Sequence, residues 1–67
     1  MTGIKVVMDD RSIKELGVEH ETILDILGLL GVNPEEVIVA VNGKIVSEYD
    51  SIGKGDELKI VRIVHGG

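Results

Sequence analysis

The stretch ELKIVRIVHGG, residues 57–67, decides how the rest of the chain is read. It alternates with a period of two, so Leu58 and Ile60 point one way while Lys59, Val61 and Ile63 point the other, which is the pattern of a strand. Arg62 falls inward by strict alternation, and a twist at the strand end is expected to expose it. Chain ends fray unless something ties them down. A strand that runs to within three residues of the terminus and then stops at Gly66-Gly67 therefore needs a reason.

A strand apolar on both faces asks for neighbours. At the other end of the chain, GIKVVMDD (3–10) places Ile4, Val6 and Met8 on one face and Lys5 and Val7 on the other. Asp9-Asp10 then reads as a turn, followed by a weaker strand in RSIKELGV (11–18) that becomes irregular near Gly17. In TILDILGLLG (22–31) the period changes: Ile23, Ile26, Leu27 and Leu30 stand at i, i+3, i+4 and i+7, one face of a helix. Thr22 is a good N-cap, Asp25 three residues on resembles a capping box, and Gly31 stands where a left-handed C-cap is wanted. Gly28 lies inside the helix, where it costs about 1 kcal/mol relative to alanine, so a close packing contact is expected there. VNPEEV (32–37) predicts a single helical turn capped by Asn33 and opened by Pro34. VIVAVNGKIV (37–46) predicts two strands around Asn42-Gly43, a strong hairpin signal, and YDSIGKGDE (49–57) a turn-rich connection.

The order is hairpin, helix, short connection, hairpin, loop and final strand. Hairpins and one helix around one sheet make an α+β layer pair. The first and last strands, both strongly apolar, are the natural central neighbours. This is the β-grasp, or ubiquitin-like, arrangement, with a mixed sheet of about four to five strands and one main helix packed on one face. Residues 1–64 are expected to form a single domain, with 65–67 a flexible tail.

Composition limits the functions open to such a chain. Its 67 residues are 43% hydrophobic with Tyr49 the sole aromatic, so the core must be aliphatic. There is no cysteine, which excludes a disulfide scaffold, a thiolate metal site and a cysteine nucleophile. Twelve acidic against seven basic residues give a net charge of −5, which disfavours nucleic acid, whose binding usually rests on a basic patch. No signal peptide opens the sequence and no apolar run approaches the roughly 20 residues of a membrane span. A cytoplasmic location is expected.

The stretches TILDILGLLGV, VNGKIVSEYDSI and GDELKIVRIVHGG together resemble the ubiquitin-like sulfur carriers: ThiS of thiamin synthesis, MoaD of molybdopterin synthesis, and the archaeal small modifier proteins. The likeness covers essentially the whole chain. It implies that a partner enzyme of the ubiquitin-activating (E1-like) type adenylates the C-terminal carboxylate of Gly67 with ATP and Mg that the partner holds. Sulfur from a donor then displaces AMP and leaves a thiocarboxylate for a downstream acceptor enzyme in thiamin or molybdopterin synthesis or tRNA thiolation. On this reading the chain is a co-substrate and not an enzyme, and it binds no cofactor of its own. Glycine suits a thin arm because it lets another backbone approach closely. Gly66 permits threading, and His65 lies in the arm and is expected to meet the activating enzyme. The strand before the arm delivers it from a rigid base, which answers the question of the terminal glycines.

Alternation also predicts a docking surface. With the helix on one sheet face, Ile38, Ala40, Lys59, Val61 and Ile63 form a partly apolar patch on the other, the kind of surface that marks an interaction site. The resemblance agrees, since relatives dock their activating enzyme through this face. A protein modifier joined through Gly67 to target lysines is a second reading, and the five lysines of the chain permit it without implying it. A non-covalent β-grasp binding module is a third. GKGD (53–56) lacks the spacing of a phosphate loop, so it reads as a plain turn. The acidic pairs Asp9-Asp10 and Glu35-Glu36 read as solvated turn and cap residues, and His20 and His65 suggest no ligand set.

Overall fold

The computed structural model describes residues 3–17 and 20–63, with His20 described by its backbone alone. Its elements in chain order are β1 (Ile4–Val7), β2 (Ile13–Leu16), β3 (His20–Thr22), α1 (Ile23–Leu30), a 3-10 turn (Pro34–Glu36), β4 (Val37–Val41), β5 (Lys44–Val46), β6 (Ser51–Gly53) and β7 (Glu57–Arg62). Five strands form the main sheet in the order β2-β1-β7-β4-β5. β1 and β7 are parallel and every other neighbouring pair is antiparallel. First and last strands thus lie side by side in the centre, and the fold is the β-grasp.

Helix α1 begins and ends where its residues dictate. Thr22 is extended (φ −78°, ψ 153°), and its Oγ1 accepts the Asp25 amide at 3.3 Å. The amides of Ile23 and Leu24 donate to the carbonyls of Asp50 (2.9 Å) and Glu48 (2.8 Å), so the orphan donors of the first turn are met by the protein itself. Gly31 adopts φ 72°, its amide reaching back to the Gly28 carbonyl and that of Val32 to Leu27. Those two bonds are the Schellman pattern, which needs a left-handed residue after the helix.

The core is aliphatic throughout. Ile23, Ile26 and Leu27 of the helix lie on Ile4, Val6, Val39, Leu58 and Ile60 of the sheet, with Ile52 closing one end, and all are buried. The side chains that alternation turns inward in β1 and β7 are the ones buried. Arg62, which alternation also turns toward the helix side, is the exception: it is exposed at the end of β7, bordering a small hollow with Met8, Val32, Val37 and Ile60.

Two expectations are corrected. Gly28 makes no close contact: it is exposed, and a Cβ added there would meet nothing within 4 Å. The connection before β7 is also not only turns. Residues Ser51–Gly53 pair antiparallel with His20–Thr22 in a second, two-stranded sheet, which brings Ile52 into the core.

The second hairpin ties the sheet to the loop before β7. Asn42 (φ 52°) and Gly43 (φ 85°) both take positive φ, the conformation of a type I′ turn. The Asn42 side chain then holds the start of β7, with Nδ2 donating to Asp56 Oδ1 (3.1 Å) and Oδ1 accepting the Glu57 amide (3.0 Å). Asp56 Oδ2 accepts the Gly53 amide at 3.0 Å. These bonds, that from Gly53 foremost and that from Asn42 next, hold the Asp56 carboxyl below its ordinary 3.8. GKGD is therefore a turn whose glycine amide is already occupied by a carboxylate.

Candidate functional site

Helix α1 covers one face of the main sheet, and the other face is open. Strand register fixes what that face presents. Across the sheet, Ile13 lies opposite Val7, Val7 beside Lys59, Lys59 opposite Ala40, and Ala40 opposite Ile45. One transverse row therefore spans all five strands and is apolar except for Lys59. The next row toward the end of β7 pairs Val61 with Ile38, and Ile63 follows on the same face. On the other side of the row, Glu15, Lys5 and Glu57 form a charged border. Lys5 and Glu57 are linked at 3.5 Å with both side chains about half exposed, so the pair contributes little stability.

All five residues expected to form the docking patch lie on this face. Ile38 is 45% exposed, Val61 41% and Ile63 37%, Lys59 is exposed and Ala40 half-buried. Three further apolar residues extend the patch: Ile45 at 74%, Ile13 at 58%, and half-buried Val7. Ile45 was legible in principle, since counting outward from the Asn-Gly turn puts it opposite Ala40. Ile13 needed the register of the first hairpin. At the β5 edge the patch runs into an open groove of about 340 Å³, where Ile38 and Ile45 meet Pro34, Val37, Val46 and Leu27.

The end of β7 is held from both sides. The Ile63 amide donates to the Glu36 carbonyl at 2.7 Å on the β4 side. The Arg62 amide donates to Asp9 Oδ2 at 3.2 Å on the β1 side. Asp9 therefore has a structural task its place in the first turn did not reveal. Its neighbour Asp10 stays within the turn, accepting from Ser12 Oγ (2.6 Å) and the Ser12 amide (2.9 Å). The side-chain bond first and the amide bond second hold the Asp10 carboxyl below its ordinary 3.8. Position in the fold thus makes β7 a fixed base pointing toward the C-terminus. His65, Gly66 and Gly67, and with them the expected tail of residues 65–67, lie outside the described residues.

What the described residues present is an exposed, largely apolar sheet face. Among them, no three histidine, aspartate or glutamate side chains come together as a metal site would require, and no helix is long and apolar enough to cross a membrane.

A mixed five-stranded sheet with one helix on its core face and an apolar open face defines a ubiquitin-like β-grasp protein. The chain belongs to the ThiS family, whose model matches residues 5–67, and so to the ubiquitin-like sulfur carriers. It is 39% identical over 64 residues to an uncharacterized protein of Archaeoglobus fulgidus, covering 96% of this chain and 94% of that one. Among solved structures it is similar to a thiamine biosynthesis protein from Geobacter metallireducens, with a TM-score of 0.62 and 22% identity, covering 94% of this chain and 87% of the other. That likeness establishes the fold. Family membership supports a sulfur-carrier role in general terms, with an activating enzyme of the E1 type and sulfur-transfer partners; small carriers of this family are generally not enzymes.

Proposed function

We propose that the chain is a sulfur carrier whose reactive group is the carboxylate of Gly67. The observation that carries this reading is the extent of the family match, which runs through Gly66 and Gly67. It is supported by the apolar open face that borders the end of β7. The carboxylate oxygen attacks the α-phosphorus of ATP held with Mg by the activating enzyme, and pyrophosphate leaves. Sulfur at the oxidation level of hydrosulfide then attacks the acyl carbon, the acyl C–O bond breaks with its electron pair leaving on AMP, and a thiocarboxylate and one proton result. Gly66 and His65 thread the arm into the partner, and Ile38, Ala40, Lys59, Val61 and Ile63 dock it. An enclosed site keeps water from the acyl adenylate, which is why the reacting end stands on a thin arm beyond a rigid sheet. The sulfur then passes to the synthesis of a cofactor such as thiamin or molybdopterin, or to tRNA thiolation. An amine in place of sulfur would make the same activated carboxyl a protein modifier joined through an isopeptide bond.

The test is the intact mass after incubation with the cognate activating enzyme, ATP and a sulfur donor. A sulfur-for-oxygen exchange that disappears on deletion of Gly67 is the expected result. Adducts on target lysines instead would assign the modifier role. An unchanged mass, under conditions in which the same enzyme adenylates a control carrier, would leave only a non-covalent β-grasp binding module.

A further inference from the structure

The two central strands do not end together. β1 stops at Val7, which stands beside Lys59, whereas β7 continues to Arg62. The Lys5 amide donates to the Asp56 carbonyl at 3.1 Å. Bonds of a parallel ladder are evenly spaced, so from that start odd residues of β1 exchange with even residues of β7. The rung beyond β1 would join the carbonyl of residue 9 to the Arg62 amide. The backbone does not supply it, because the chain turns away: the Met8 amide donates to the Ser12 carbonyl (2.9 Å) and the Arg11 amide to the Met8 carbonyl (3.0 Å). The Asp9 side chain supplies it instead, Oδ2 accepting the Arg62 amide at 3.2 Å. A carboxylate takes the place of a strand.

The turn that presents Asp9 is itself fixed. Arg11 is held at φ 71°, in the left-handed region that residues with a side chain seldom enter. Asp10 Oδ1 closes the turn on the Ser12 amide and hydroxyl. A bond from an amide to a charged carboxylate is among the stronger hydrogen bonds. On the other side of β7, the Glu36 carbonyl takes the Ile63 amide. Among the described residues, these two acceptors are the last that the rest of the molecule offers β7. Gly67 lies four residues beyond Ile63, a reach of at most about 14 Å when fully extended. An arm that short inherits the direction of its base. At a reacting centre, misplacement by about 1 Å can cost about a hundredfold in rate.

We infer that Asp9 is a positioning residue for adenylation: by fixing the end of β7 its carboxylate aims the C-terminal arm, separately from the docking of the open sheet face. This role rests on the sulfur-carrier reading, since it is in that reaction that the direction of the arm matters. It gives the first turn of the chain a share in chemistry at the opposite end of the sequence. Docking through Ile38, Val61 and their neighbours brings the partner to the sheet, and Asp9 decides where the arm then points.

The test compares the wild-type chain with Asp9→Ala, which loses the acceptor, and Asp9→Asn, which loses the charge and keeps an acceptor. Turnover is read by ATP–pyrophosphate exchange with the cognate activating enzyme, and the fold by the urea midpoint and the amide spectrum. In Asp9→Ala, kcat is expected to fall about tenfold with KM for the carrier unchanged, while Asp9→Asn stays near wild type. The heteronuclear Overhauser effect of the Arg62 and Ile63 amides is expected to drop in Asp9→Ala and to stay high at Leu58 and Ile60. An unchanged kcat in Asp9→Ala overturns the role. So does a rise in KM alone, which would make Asp9 a contact of the docking face. Asp9→Asn as slow as Asp9→Ala would assign the effect to charge, and loss of the Leu58 and Ile60 signals would assign it to the fold; either contradicts the role. Wild-type chain that is never adenylated, by an enzyme that adenylates a control carrier, would overturn the carrier reading and this role with it.

Discussion

The two faces of the central sheet are built from the same kind of residue and have opposite fates. On the core side, Leu58 and Ile60 of β7 are buried beneath α1; on the open side, Val61 of the same strand and Ile63 just past its end remain over a third exposed. β4 repeats the contrast, with Val39 buried and Ile38 exposed. Alternation alone determines which side a residue takes, and the single helix covers one side only. An apolar face that folding leaves uncovered contributes little to the stability of the free chain and much to whatever covers it.

The largest effect that can test this contrast is Leu58→Ala. Removing a fully buried leucine should destabilise the fold by about 2–5 kcal/mol, read as a lower urea midpoint, whereas Val61→Ala, on the opposite face of the same strand, should stay within about 0.5 kcal/mol, as exposed positions usually do. Equal losses at the two positions would break the distinction between the faces. Next is Asn42→Ala, which removes both side-chain bonds that join the second hairpin to the start of β7 and should cost about 1–2 kcal/mol. Its Asp56 and Glu57 amide signals should shift together. Gly28→Ala should act in the opposite direction, stabilising by up to about 1 kcal/mol and so raising the melting temperature by several degrees.

The smallest effect is with pH. Asp10 and Asp56 both titrate below the ordinary 3.8 in the folded chain. A carboxyl whose folded value is depressed stabilises the fold at pH above the unfolded value, and that contribution disappears as pH falls through the folded one. Stability should therefore decline on acidification below about pH 4, and Asp56→Asn should flatten the decline. Both carboxyls are solvated, so the slope is expected to be shallow.

Much of this plan is legible in the residues, and the exceptions share a cause. The helix is readable because its caps and its period of 3.6 agree over Thr22 to Gly31, and the second hairpin because Asn-Gly permits few conformations. Alternation alone carries the inward set of β1 and β7. The small sheet of β3 and β6 is not readable, since three residues including a glycine, SIG, carry no period. Gly28 misled because a glycine inside a helix lowers its propensity whether or not anything packs closely against it, and here nothing does. Asp9 was hidden because its partner, the Arg62 amide, is 53 residues away, and no local pattern encodes a meeting of that kind. The open face was legible as a set of positions, whereas its extension to Ile13 and Ile45 required the register that only the assembled sheet supplies.

The central claim is that the open sheet face presents this carrier to its activating enzyme. The most direct measurement is ATP–pyrophosphate exchange by that enzyme, titrated with wild-type chain and with Val61→Glu, alongside the urea midpoint of each. An unchanged midpoint with a KM for the carrier raised about tenfold or more is the predicted result; an unchanged KM would contradict the account.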